Sequence, residues 1–252
     1  MIKVYNKSSE NMIEVEDESV QLVVTSPPYN CGMDYGCYDD SQEFNDYLGM
    51  LSKVWQECER VLVPGGRIAV NVSHGNGRRP YMPLGSYITL QIEQFFQLRG
   101  TIIWQKQSVS NKTSWGSWRL PNDPSLRDVC EIIVVANKQG NYNVPDTSLI
   151  LENGKKYSPW LDKETFMSLT LDLWCVPPVT GRSAHPAPFP IEIPLRLAKL
   201  YAYPGATVLD PFAGSGSTGL ACKQLGLSCH LYEINPGYCE LIKNKLSQEV
   251  MF

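Results

Sequence analysis

Thr207-Val208-Leu209-Asp210-Pro211-Phe212-Ala213-Gly214-Ser215-Gly216-Ser217-Thr218-Gly219 holds the decision about the fold. Its first four residues are a short run of strand character, and Ser217–Leu225 has helical spacing. Between the two, glycines let the backbone turn tightly and approach a ligand closely, while the helix N-terminus presents free N–H groups. His230-Leu231-Tyr232 supplies another strand, and Pro236–Leu246 a closing helix with proline in its first turn. Glu233 ends that strand, where a carboxylate can accept hydrogen bonds from ribose hydroxyls. The pattern describes a nucleoside-containing ligand lying across two neighbouring strand ends.

The same alternation runs upstream. Val20–Thr25 reads as a buried strand that stops at Ser26-Pro27-Pro28. Phe44–Val61 is an amphipathic helix, with Phe44, Tyr47, Leu48, Leu51, Val54, Trp55, Cys58 and Val61 on one apolar face. Pro64-Gly65-Gly66 breaks it, and Arg67–Val72 is the next strand. A helix over Tyr87–Leu98, strands Thr101–Trp104 and Glu131–Ala136, and a helix Pro190–Tyr201 follow, while Lys138–Asp172 has weak pattern. Strands alternating with helices predict an α/β fold, its central sheet mostly parallel with helices on both faces. No helical pattern separates the strands around Trp104 and Val134, so one antiparallel strand is expected there. Ligands of such sheets sit at the C-terminal ends of the strands.

Composition bounds the rest. At 252 residues, 43% hydrophobic and 19% charged, the chain can bury a real core and lacks the signature of disorder. No apolar run approaches a membrane span and MIKVYNKSSE has no secretory core, so a cytoplasmic protein is expected, without membrane attachment. The net charge of −4 excludes a wholesale basic coat. Its distribution is uneven: residues 1–59 hold three basic and twelve acidic side chains, whereas residues 60–122 hold eight basic against Glu93 alone. A basic middle suits a local anionic ligand such as DNA, and suits a merely solvated surface as well. Eight cysteines and three histidines include no C-x-x-C pair and no zinc-ligand spacing, so no metal is expected and the thiols are read as reduced.

Two turns carry chemistry. Gly214-Ser-Gly216-Ser-Thr-Gly219 satisfies G-x-G-x-x-G, which taken alone would also admit a nicotinamide-dependent oxidoreductase. That form usually opens a chain of further strand–helix units, and only one strand and one helix remain here. A Walker loop fails for want of Gly-Lys-Ser/Thr. In Thr25-Ser26-Pro27-Pro28-Tyr29-Asn30 two prolines stiffen the turn and remove two N–H donors, leaving mainly acceptors. Such a wall suits a planar ring with an exocyclic –NH2, held by the Ser26 hydroxyl and the Pro27 carbonyl, with Tyr29 stacked on the ring.

The pair of turns resembles the amino-methyltransferases of DNA, which use S-adenosylmethionine to methylate cytosine N4 or adenine N6. In that family a [DNS]-Pro-Pro-[YFW] turn holds the target amine and D-P-F-x-G-x-G holds the cofactor; here they read Ser26-Pro-Pro-Tyr29 and Asp210-Pro-Phe-Ala-Gly-Ser-Gly216. The catalytic turn comes first, 184 positions ahead, which is similar to the circularly permuted β-type order of a Rossmann-like methyltransferase fold. Arg60–Gly66, Ile102–Lys106, Glu131–Lys138 and His185–Pro190 match as well. One departure is Ser217, where many relatives have Thr; both keep a hydroxyl. The absence of a Pro-Cys dipeptide argues against the cysteine route to cytosine C5.

The resemblance implies Ser26, Pro27, Pro28 and Tyr29 at the catalytic turn. It implies Thr25, His185, Pro186, Asp210, Phe212, Ala213, Gly214, Ser215, Gly216, Ser217, Thr218, Glu233 and Asn235 around S-adenosyl-L-methionine. The target atom is unreachable inside a duplex, so double-stranded DNA with base flipping is the implied substrate. Arg78, Arg79, Lys112, Trp115, Trp118, Arg119 and Arg127 mix cations with aromatics and are the expected DNA contacts. Residues 1–138 form the catalytic half and 174–252 the cofactor half, with 139–173 at the family's target-recognition position. Ser at the first catalytic position goes mostly with cytosine N4; adenine N6 stays open, as do a monomer or homodimer and a paired restriction endonuclease. An inactive DNA-binding scaffold would not need Ser26, Tyr29 and Glu233 intact.

Overall fold

The computed structural model describes residues 1–75, 81–106, 116–126, 128–143, 161–179 and 189–248. Among these residues eight strands form one sheet: β1 (Ile2–Tyr5), β2 (Val20–Thr25), β3 (Leu62–Ser73), β4 (Gln97–Gln105), β5 (Cys130–Asn137), β6 (Leu173–Cys175), β7 (Thr207–Asp210) and β8 (Ser228–Tyr232). Six helices of the described residues pack around it: α1 (Phe44–Val61), α2 (Leu84–Glu93), α3 (Lys163–Leu169), α4 (Glu192–Tyr201), α5 (Ser217–Gln224) and α6 (Pro236–Ser247). The strand order is β1-β8-β7-β2-β3-β5-β4-β6. All neighbours are parallel except at β5, which runs against both β3 and β4. The expected single antiparallel strand is therefore β5.

Alternation along the strands sorts the core into two layers. Val20, Val23, Ile68, Val70 and Val72 face α1 and α2, where Tyr47, Leu51, Trp55, Ile88 and Ile92 are fully buried. Leu22, Val24, Ala69, Ile133 and Val135 face the other layer, with Ile193 and Leu197 of α4, Cys222 of α5 and Ile242 of α6. Val20 and Val23 both join the first layer despite their odd spacing, and the ladder to β3 shifts register between Val20 and Leu22. Helices thus cover both faces. Full burial of each large apolar side chain is worth about 1.5–3 kcal/mol against exposure. A polar pair inside the first layer is satisfied: Trp55 Nε1 donates to Gln91 Oε1 at 2.9 Å, and Gln91 Nε2 to the Leu48 carbonyl at 2.6 Å.

The expected second helix is displaced. It runs Leu84–Glu93 rather than Tyr87–Leu98, because Phe96, although buried, packs from the turn that follows, and Gln97 already belongs to β4. The weak stretch before Asp172 contains α3, capped by Asp162, whose carboxylate accepts from Thr165 N at 2.8 Å. Four cysteines (58, 222, 229 and 239) are core thiols, Cys130 is half-buried, and Cys31, Cys37 and Cys175 are exposed; all are free. Among the described residues no helix is long and apolar enough to cross a membrane, and no group of three His, Cys, Asp or Glu side chains could hold a metal.

Candidate active site

The chain leaves β7 toward β8 on one side of the sheet and leaves β2 toward β3 on the other. These two strands are adjacent and parallel, with Leu22 paired to Val208 and Val23 to Leu209. Their C-terminal ends are therefore a topological switch point, where the diverging connections open a crevice. A cleft of about 410 Å³ lies there, lined by both turns: Ser26, Pro27, Pro28 and Tyr29 from one, Asp210, Phe212, Ala213, Gly214, Ser215 and Ser217 from the other. Pro28 and Gly214 share one cavity.

Asp210 joins the two. The residue is 4% exposed. Oδ1 accepts from Thr25 Oγ1 at 2.8 Å and from the Phe212 N–H at 3.1 Å, and Oδ2 from Thr218 Oγ1 at 2.6 Å. Burial pushes its pKa up to about 6 against the pull of those bonds. The turn itself needs glycine at Gly216, where φ is +83° and an added Cβ would come 2.9 Å from Ile242 Cγ1. Glu233, just beyond β8, accepts from the Gly214 N–H on Oε2 and the Asn235 N–H on Oε1, both at 2.8 Å. Burial, with the charge of Asp210 as a lesser cause, raises its pKa. Glu10 adds a third carboxylate to the rim. An acidic, aromatic-walled cleft suits a cationic ligand.

At the other end of the cleft the Ser-Pro-Pro-Tyr turn is braced from behind. Tyr47 Oη donates to the Pro28 carbonyl at 2.7 Å, while no donor among the described residues occupies the Pro27 carbonyl. Ser26 Oγ lies 3.1 Å from Tyr29 Oη, and Tyr29 Oη donates to Glu131 Oε2 at 2.9 Å. Asn71 Nδ2 reaches that same carboxylate oxygen at 2.5 Å and Tyr29 Oη at 3.0 Å. Lys106 Nζ closes the chain at 2.5 Å from Glu131 Oε1, 5.5 Å above the Trp104 ring. Burial foremost, then the charge of Glu131, holds the Tyr29 pKa well above its ordinary value, so the phenol stays protonated.

Several expected cofactor contacts stand behind the wall rather than on it. Thr25 and Thr218 are buried with their hydroxyls spent on Asp210; Gly216 turns its α-carbon toward Ile242. Asn235 caps α6 through Gly237 N and donates Nδ2 to the Tyr35 carbonyl. Ser217 Oγ donates to the Phe189 carbonyl while still lining the cleft. Trp118 and Arg119 are exposed, away from the cleft lining, Arg119 with φ of +60°. His185, Pro186, Arg78, Arg79, Lys112, Trp115 and Arg127 lie outside the described residues.

Sequence reasoning missed residues that the fold delivers from elsewhere. Ser8, Ser9 and Glu10 reach the cleft from the loop after β1. Tyr35 and Tyr38 come from the loop that Asp40 shapes by accepting from the N–H groups of Asn30, Cys31 and Met33. Asn71 and Glu131 left a signal, each a polar residue within or at the start of an apolar strand, Arg67–Val72 and Glu131–Ala136.

A DNA methylase family profile (N6_N4_Mtase) matches residues 20–244. The type II methyltransferase M.MthZI of Methanothermobacter thermautotrophicus is 28% identical over 98% of this chain and 76% of its own length. The DNA adenine methyltransferase YhdJ of Escherichia coli is 26% identical over 90% and 76%. The crystal structure of TTHA0409 from Thermus thermophilus, complexed with S-adenosyl-L-methionine, superposes with a TM-score of 0.73 at 27% identity, covering 98% of this chain and 93% of that one. With the profile spanning both turns and the strands that carry them, the chain belongs to the N6/N4 DNA methylase family.

Proposed function

We propose that this chain transfers a methyl group from S-adenosyl-L-methionine to the exocyclic N4 of a cytosine flipped out of double-stranded DNA. The observation that carries the reading is the shared cleft: the acceptor turn at Ser26–Tyr29 and the glycine turn at Asp210–Ser217 face the same cavity. When bound, the cofactor supplies a methyl group on a positively charged sulfur. Glu233 is the group to hold ribose hydroxyls, its two oxygens each keeping a lone pair beyond the backbone bonds already made. Phe212, Tyr35, Tyr38 and Tyr238 give the apolar and aromatic walls that a nucleoside and a sulfonium require.

The rest falls to the catalytic turn. An exocyclic amine is a poor nucleophile because its lone pair is delocalised into the ring. Ser26 Oγ and the Pro27 carbonyl accept its two N–H groups, which favours a pyramidal nitrogen with a localised pair. Positioning supplies most of the rate, and Tyr29 offers a ring to the extruded base. Exposed Trp118 and Arg119, with Arg78, Arg79, Lys112, Trp115 and Arg127, serve as DNA contacts; residues 139–173 serve target recognition. A cytoplasmic enzyme paired with a restriction endonuclease fits the type II relatives. Adenine N6 is the second reading, favoured by the likeness to YhdJ and by the same –NH2 on both bases.

Incubating DNA with the chain and cofactor, digesting to nucleosides and weighing them separates the two. N4-methylcytosine is expected, N6-methyladenine moves the assignment to the second reading, and no methylated nucleoside overturns both.

A further inference from the structure

We propose that Glu131, through Tyr29, sets the direction of the hydrogen bond at Ser26 and is thereby a positioning residue for methyl transfer. The inference rests on the functional reading above. Tyr29 has one hydroxyl hydrogen, and a carboxylate only accepts, so the 2.9 Å contact fixes that hydrogen on Glu131 Oε2. Tyr29 Oη is left as an acceptor toward Ser26, 3.1 Å away. The single Ser26 hydrogen therefore points at Tyr29; Asn71 Nδ2 reaches Ser26 Oγ at 3.4 Å, which leaves one Ser26 lone pair for the N–H of the target base. Without that constraint the Ser26 hydroxyl can turn its own hydrogen toward the amine, donor against donor.

Lys106 makes the direction hard to reverse. Its ammonium sits on Glu131 Oε1, the other carboxylate oxygen, while Asn71 Nδ2 also donates to Oε2. β4 supplies Lys106's approach and β5 supplies Glu131, so neither group depends on the flanking loops. The whole chain from Lys106 to Ser26 is buried or half-buried, where such bonds are strong and strict in their polarity.

Glu131→Gln is the test, because Lys106 attracts the amide oxygen and leaves the amide NH2 facing Tyr29. The Tyr29 hydrogen is then pushed toward Ser26 and the Ser26 hydrogen toward the base. The expected result is a fall in kcat of about a hundredfold, with S-adenosylhomocysteine affinity close to the parent and Tm lowered by the weakened Lys106 and Asn71 contacts. In the Tyr29→Phe background the same substitution should have a much smaller effect, since the main path runs through that hydroxyl and only the longer Asn71 contact to Ser26 remains. A 19F signal from 3-fluorotyrosine at position 29 should titrate at lower pH in Glu131→Gln, the carboxylate charge being gone. Equal turnover of parent and variant, or an undiminished loss in the Phe background, overturns the inference while leaving the methyltransferase reading standing. No methyl transfer by the unaltered chain overturns both.

Discussion

Asp210→Asn isolates a charge that the fold keeps at a cost. The carboxylate receives three hydrogen bonds, yet burial outweighs them and raises its pKa from 3.8 to about 6. Two units at about 1.4 kcal/mol each make the ionised group cost roughly 3 kcal/mol of folding stability near neutral pH. The native chain holds this proton more tightly than the unfolded chain does. Its contribution is therefore fully present below about pH 4 and is lost as pH rises through about 6. Asparagine can keep its carbonyl toward Thr25 and the Phe212 N–H, which share Oδ1, and turn its amide toward Thr218, whose hydroxyl can accept. Urea unfolding of parent and variant across about pH 4 to 7.5 cancels the other carboxylates in the pairwise difference. The variant should gain roughly 3 kcal/mol on the parent over that range. A difference that stays flat, or drifts toward the parent as pH rises, refutes the reasoning.

Ser26→Ala should retain S-adenosylhomocysteine binding by calorimetry while methyl transfer falls at least about a hundredfold; unchanged turnover removes Ser26 from its role. Glu233→Ala takes the charged acceptor from two backbone N–H groups and from any ribose, so S-adenosylhomocysteine should bind about 10- to 100-fold more weakly. Gly216→Ala meets both a left-handed backbone and Ile242, and denaturant melts should show a loss of about 1–3 kcal/mol.

What the sequence disclosed follows from where each element gets its stability. β2, α1 and β7 fall on the residues that periodicity assigns them, because each is buried by its own apolar pattern. β1 escaped notice: four residues at the sheet edge acquire strand geometry only by pairing with β8 at the far end of the chain. α2 slipped because Phe95 and Phe96 continue a helix-like apolar spacing through a turn. In the site, Ser26–Tyr29 and Asp210–Gly216 were legible because a proline-stiffened acceptor turn and a positive-φ glycine turn each demand particular residues. Lys106 and the Ser8–Glu10 segment have ordinary local sequence, and Asn71 and Glu131, though marked as polar residues in apolar strands, do not by that mark name their partners. Their part in the site comes from adjacency that no local pattern encodes.

The reversed direction of β5 explains one such adjacency. In the parallel strands the C-terminal ends face the cleft, so β2 and β7 deliver residues that follow them. β5 runs the other way, with Ser73 paired to Glu131 and Arg67 to Asn137, so the beginning of β5 lies at the cleft end of β3. Had β5 been parallel, Asn137 would occupy that end and Glu131 would lie at the opposite edge of the sheet. The strand reversal thus puts a carboxylate behind Tyr29 without a loop to carry it, held by ladders on both sides. A rigid strand fixes hydrogen-bond polarity better than a connection can, which is the property that the proposed acceptor role of the Ser26–Tyr29 turn needs from its support.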